Sequence, residues 1–201
     1  MKAFRIFSWI VIGLSFATLT FVVLRRSQTP PNGEERGAEP QYVSDFSLVD
    51  QSSRTVTLAD LKGHVWIADF FFTRCTGPCP MLSRRMKQLT DEFASADIRF
   101  VSVSVDPEYD RPKVLKEYAE RYEADPRWLF LTGDRKVIAE LMQKGFSLGL
   151  EMAPAGGAAP DITHSVRFGL VDRDGRVIGT FDMTDVDGMR GLRDELRRLK
   201  P

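Results

Sequence analysis

The sequence is poor in the residues from which disulfide scaffolds and metal clusters are built. Its 201 residues contain two cysteines and two histidines. Two cysteines so close together cannot staple a small fold. A four-ligand structural zinc site would use every Cys and His in the chain. A surplus of one charge is also missing, since 28 Lys and Arg face 28 Asp and Glu. Nucleic-acid binding needs a basic surplus, so no nucleic-acid partner is expected, and neither an acidic nor a basic partner is implied. No internal repeat is present, which argues against a solenoid.

Long uncharged runs are also scarce, with one exception. Ile6–Leu24 holds 19 residues without a charge, preceded by Lys2 and Arg5 and followed by Arg25 and Arg26. About 20 apolar residues span a bilayer, and no Ala-x-Ala cleavage pattern follows. Residues 1–26 therefore read as an uncleaved single-pass membrane anchor. The flanking charges nearly tie under the positive-inside rule, so they do not orient it. Residues 27–40 are rich in Pro, Gly and Glu and read as a flexible linker. A folded domain is expected over 41–201.

Within that domain, 46–49 and 55–57 alternate around a polar turn and predict a hairpin. The run 65–72 is apolar throughout, as in a strand buried on both faces of a sheet. From Pro80 the apolar positions Leu82, Met86, Leu89 and Phe93 follow helical spacing. Ile98–Val105 reads as the next strand, and Pro112 opens a helix carrying Leu115 and Tyr118. Strand 128–131 follows, then a helix capped by Asp134 and running through Lys144. Residues 147–163 lack any period and form a long loop. Ser165–Val171 and Val177–Phe181 flank Asp174-Gly175 as a hairpin, and an amphipathic helix over 186–199 closes the chain. Strands alternating with helices give an α/β fold with a mixed central sheet and helices on both faces.

The two cysteines, Cys75 and Cys79, follow the apolar strand directly, and Pro80 stands after the second. Cys75 is expected in the loop and Cys79 at the start of the helix. A helix N-terminus favours thiolate over thiol, and Arg74, Arg84 and Arg85 would strengthen that effect if they pointed inward. Thiolates are soft ligands suited to copper, and they are also the species that attacks disulfides. An inert bridge closing so short a loop gains little stability. On these residues alone, metal binding and thiol–disulfide exchange both stay open. Asp69, a carboxylate in an apolar run, needs either a cationic partner or a task. A lone histidine at a loop end, such as His64 or His164, is ordinarily solvated or hydrogen-bonded.

Several motifs occur in a fixed order: Thr73-x-Cys75-x-x-x-Cys79-Pro80, Ser104-Val-Asp-Pro-Glu108, Leu131-Thr-Gly133, and His164-Ser165 ahead of a strand and Asp174-Gly175. This order, across roughly 41–200, resembles the Sco/SenC family of copper chaperones. The resemblance implies a thioredoxin-like fold on the extracytoplasmic side of the plasma membrane. It also implies copper held by Cys75, Cys79 and His164, and delivery to the binuclear copper site of cytochrome c oxidase or to another copper or thiol partner. A second likeness is to thioredoxins. Gly77-Pro78-Cys79 looks like the end of Cys-Gly-Pro-Cys with one residue added, and Asp69 matches the buried aspartate. That likeness implies a thiol–disulfide oxidoreductase with Cys75 and Cys79 as the catalytic pair and Asp69 as proton relay.

Overall fold

A computed structural model describes residues 40–148 and 166–199. The expected anchor, the linker up to Glu39, most of the 147–163 loop and His164 lie outside the described residues. Among the described residues no helix is long and apolar enough to cross a membrane.

The predicted first hairpin is present as β1 (Ser47–Asp50) and β2 (Thr55–Thr57), paired antiparallel. Asp50 closes it by accepting from the backbone N–H groups of Ser52 and Arg54. A single helical turn not foreseen from the sequence, α1 (Leu58–Leu61), follows at once. It is nucleated by Thr57 and Asp60, whose side chains close a reciprocal capping box.

β3 (Val65–Phe71) is buried at every position, as its unbroken apolar run requires. It pairs parallel with β4 (Ile98–Ser104) on one side and antiparallel with β6 (Arg167–Val171) on the other. β4 pairs parallel with β5 (Trp128–Thr132), and β7 (Val177–Asp182) pairs antiparallel with β6. The result is a seven-stranded mixed sheet in the order β2-β1-β5-β4-β3-β6-β7. The sequence motif Asp174-Gly175 makes the β6–β7 turn, with Gly175 at φ +84°.

Alternation along β3 sends neighbouring side chains to opposite faces. Phe71 packs at 5.1 Å, centroid to centroid, on Tyr118 of α3 (Pro112–Arg121). Phe70 packs at 5.6 Å on Phe146, on the other side. Both faces are therefore covered, as expected. α2 (Cys79–Glu92) lies on the Tyr118 side, where Ser83 and Tyr118 share a 2.8 Å hydrogen bond, and it buries Leu82, Met86 and Leu89.

One expected helix is altered. Asp134 caps α4 (Arg135–Glu140) through the Lys136 and Val137 amides, as predicted. The α-helix stops at Glu140, however, and a π-helical turn occupies Leu141–Gly145. That wider turn buries Leu141 and Met142 and delivers Phe146 to the sheet, against Trp66 and Phe70. The closing helix α5 (Val186–Leu199) buries Met189, Leu192 and Leu196 as its pattern predicts.

Candidate metal centre

The three parallel strands β3, β4 and β5 end on the same edge of the sheet, the edge where open α/β sheets place their ligands. Cys75 lies there in the loop after β3, with its N–H on the Phe72 carbonyl at 3.3 Å. Pro78, in helical conformation, starts α2, and its carbonyl accepts from Met81 and Leu82. Pro80 sits in the first turn, where a missing N–H is no loss. This geometry makes Cys79 the first helical residue. Both cysteines are free; Cys75 is half-buried and Cys79 fully buried.

At Cys79 burial works against the thiolate that a helix N-terminus favours. Burial pushes its thiol well above the ordinary range, a hydrogen bond with Cys75 and the charge of nearby Asp69 push the same way, and the Phe72 backbone offsets only part of this. Arg74 turns to Asp106, with Nε 2.6 Å from Oδ2, and Arg84 is exposed.

Asp69 occupies the middle of β3, and among the described residues it makes no ion pair with a cation. Its Oδ1 accepts from the Ser102 hydroxyl at 2.5 Å, and Ser102 in turn accepts from Trp128 Nε1 at 2.9 Å. Its Oδ2 is buried with no hydrogen-bond partner among the described residues. Burial raises this carboxyl to about 7, only partly countered by Ser102. The sheet thus brings Asp69 together with the cysteine pair, close enough for its charge to act on Cys79.

The loop after β4 shapes the cysteine loop from the side. Asp110, fully buried, accepts from the Thr73 N–H at 3.0 Å, from the Thr73 hydroxyl and from the Ser104 hydroxyl at 2.5 Å. Burial raises its carboxyl despite these donors. Ser104 also accepts from the Asp106 N–H at 3.1 Å. Asp110 and Ser102 were not singled out from sequence. Ser102 and Ser104 leave a signal there, as buried hydroxyls in a strand whose only other polar residue is Arg99; Asp110 leaves none.

His64 is engaged elsewhere. Its Nδ1 lies 2.9 Å from Asp97 Oδ2, and its Nε2 faces Arg99. It precedes β3, so a whole strand of about 20 Å separates it from the cysteines. Among the described residues no three of His, Cys, Asp and Glu converge as a metal site. The third expected ligand, His164, is outside them.

A mixed sheet with a cysteine pair at the start of the helix after its central strand defines a thioredoxin-like protein. Within that class the SCO1/SenC family model matches residues 34–199, and the chain belongs to that family. The SCO1 protein homolog of Bacillus subtilis is 37% identical over 144 residues, 70% of this chain and 73% of that protein. The structure of BsSco, described as a disulfide-switch member of the Sco family of cytochrome c oxidase assembly proteins, is 31% identical with a TM-score of 0.70 and covers 83% of this chain and 98% of its own. Bradyrhizobium japonicum ScoI, solved with copper bound, is 27% identical with a TM-score of 0.59 over 79% of this chain and 99% of its own.

Proposed function

We propose that this chain is a membrane-anchored copper chaperone. Cys75 and Cys79 take one copper ion as thiolates, His164 completes the ligand set, and the ion passes to the binuclear copper site of cytochrome c oxidase during assembly. The observation that carries this reading is a pair of unbridged thiols, one accessible and one buried, at the carboxyl end of β3. Soft sulfur donors in that setting suit copper, and the copper-bound relative supports the choice of cargo. Binding must displace the Cys79 proton, so uptake releases protons.

The register of the sheet supports His164 as third ligand. β6 runs antiparallel to β3 with Ala68 opposite Gly169, so residues towards Val166 run towards the cysteine end. His164 is tethered to Val166 by a chain span of at most ~7 Å. The soluble domain is extracytoplasmic, held by Ile6–Leu24. In an anaerobic titration of reduced residues 41–201 with Cu(I) and then Cu(II), one tight equivalent is expected, weakened in His164→Ala. Unchanged affinity in that variant would remove His164 from the site.

A second reading, thiol–disulfide exchange, is favoured by one observation, the unpartnered Asp69 oxygen near Cys79. In it the Cys75 thiolate attacks a partner disulfide and forms a mixed disulfide. Cys79, its proton passed to Asp69, then attacks Cys75 and releases the partner as a dithiol, leaving Cys75–Cys79 oxidised. Disulfide reduction that persists in Cys79→Ser would overturn it.

A further inference from the structure

Cys75 is the accessible sulfur of the pair. Handing over a metal or a disulfide there requires a partner's donor atom within a bond length of that sulfur, so a protein partner must rest on the residues around it. Arg74, Thr76 and Gly77 are exposed on this rim. Gly77 adds no side chain, and even a Cβ there would stand 4.0 Å from Cys75 Sγ.

Beside Cys75 stands a rigid aromatic–cation pair. The Arg74 guanidinium lies 5.1 Å from the centre of the Tyr109 ring and is held from beneath by Asp106. The Tyr109 backbone is pinned by its N–H on the Asp106 carbonyl at 3.1 Å and by its own carbonyl, which accepts from Arg111 at 2.8 Å. Despite this anchoring, 51% of Tyr109 faces solvent. Exposed, pre-ordered Tyr and Arg side chains are the residue types that anchor protein interfaces, because little freedom is left to lose on binding.

The local charge is also sorted. Asp106 and Asp110 point inward and are buried, while Arg74 and Arg111 are exposed. Glu108, the one exposed carboxylate of the 105–111 loop, is ion-paired with Arg135. The exposed side chains of the Cys75 and 105–111 loops thus include the Tyr109 ring and the arginines Arg74 and Arg111, with the Asp106 and Asp110 carboxylates turned beneath them.

We infer that Tyr109 and Arg74, backed by Arg111, form the docking platform for an acidic protein surface that exchanges ligands at Cys75. The inference rests on the chaperone reading for what is exchanged, but the platform can be tested apart from it. The full chain in detergent, loaded with Cu(I), is mixed with the metal-free soluble copper-site domain of the oxidase. In a parallel arm it is mixed with the small chelator bathocuproine disulfonate. Tyr109→Ala and Arg111→Glu are expected to slow transfer to the domain about tenfold and to leave removal by the chelator unchanged, with Tyr109→Phe close to wild type. Raising the ionic strength slows wild-type transfer to the domain. Wild-type rates in both variants would overturn the platform and leave the copper reading standing. Binding of the domain without copper transfer, with binding lost in Tyr109→Ala, would overturn the copper reading and support the platform. No association of the wild-type chain with the domain would overturn the platform.

Discussion

Asp69 places a carboxyl group on a central strand, with one oxygen on Ser102 and the other without a hydrogen-bond partner among the described residues. Its proton affinity in the fold is that of a group near pH 7, against about 3.9 in an unfolded chain. Between those values the folded state binds the extra proton. Its contribution to stability is therefore fully present below about pH 4 and is lost as pH rises towards 7, by roughly 4 kcal/mol in all. Asp69→Asn removes this dependence. Urea unfolding of the reduced protein should show the variant gaining on wild type from pH 5 to pH 8, and parallel profiles would refute the assignment. Asp110 works differently, since three donors from Thr73 and Ser104 surround it. It acts as a structural tie that fixes where the cysteine loop begins.

Among the elements, the π-helical turn at Leu141–Gly145 departs most from its sequence pattern. It sets Phe146 against β6, the strand that follows His164 in sequence, and Gly169 is what allows the contact. A Cβ at Gly169 would stand 2.3 Å from Phe146 Cδ1, and the ring has little room to retreat between Trp66 and Phe70. Gly169→Ala should destabilise the domain by about 1–3 kcal/mol through overpacking. That effect is read as a lower urea midpoint at unchanged slope. Adding Phe146→Leu should recover part of the loss, because the two changes share one contact. The sequence showed the start of this helix, since Asp134 is a local cap, and missed its change of pitch. That change is decided by what Phe146 meets on a strand more than twenty residues further along the chain.

For the whole molecule, residues Pro40–Pro201 form one compact unit, and the family match begins just before it. The full chain is expected in the membrane fraction, resistant to alkaline extraction. Residues 41–201 should remain soluble and unfold in a single transition. A full chain released by alkali would show that Ile6–Leu24 does not span the bilayer.

The strands, the main helices, the loop-then-helix placement of Cys75 and Cys79 and the burial of β3 were all legible in the sequence. They depend on periodicity, caps and prolines acting over a few residues. His164 was singled out by the resemblance of the motif order to a family, not by spacing. The tertiary structure decided which groups meet at the cysteine pair. The parallel register of β3 and β4 sets Ser102 opposite Asp69, the β4 loop turns Asp106 and Asp110 onto Arg74 and Thr73, and Tyr109 comes to rest on Arg74. The stretch from Val65 to Pro80 carries the sulfurs, but Ser102, Asp106, Tyr109 and Asp110, which pack onto it, come from segments thirty or more residues away. Contacts of that kind follow from strand register and loop packing, which no local pattern records.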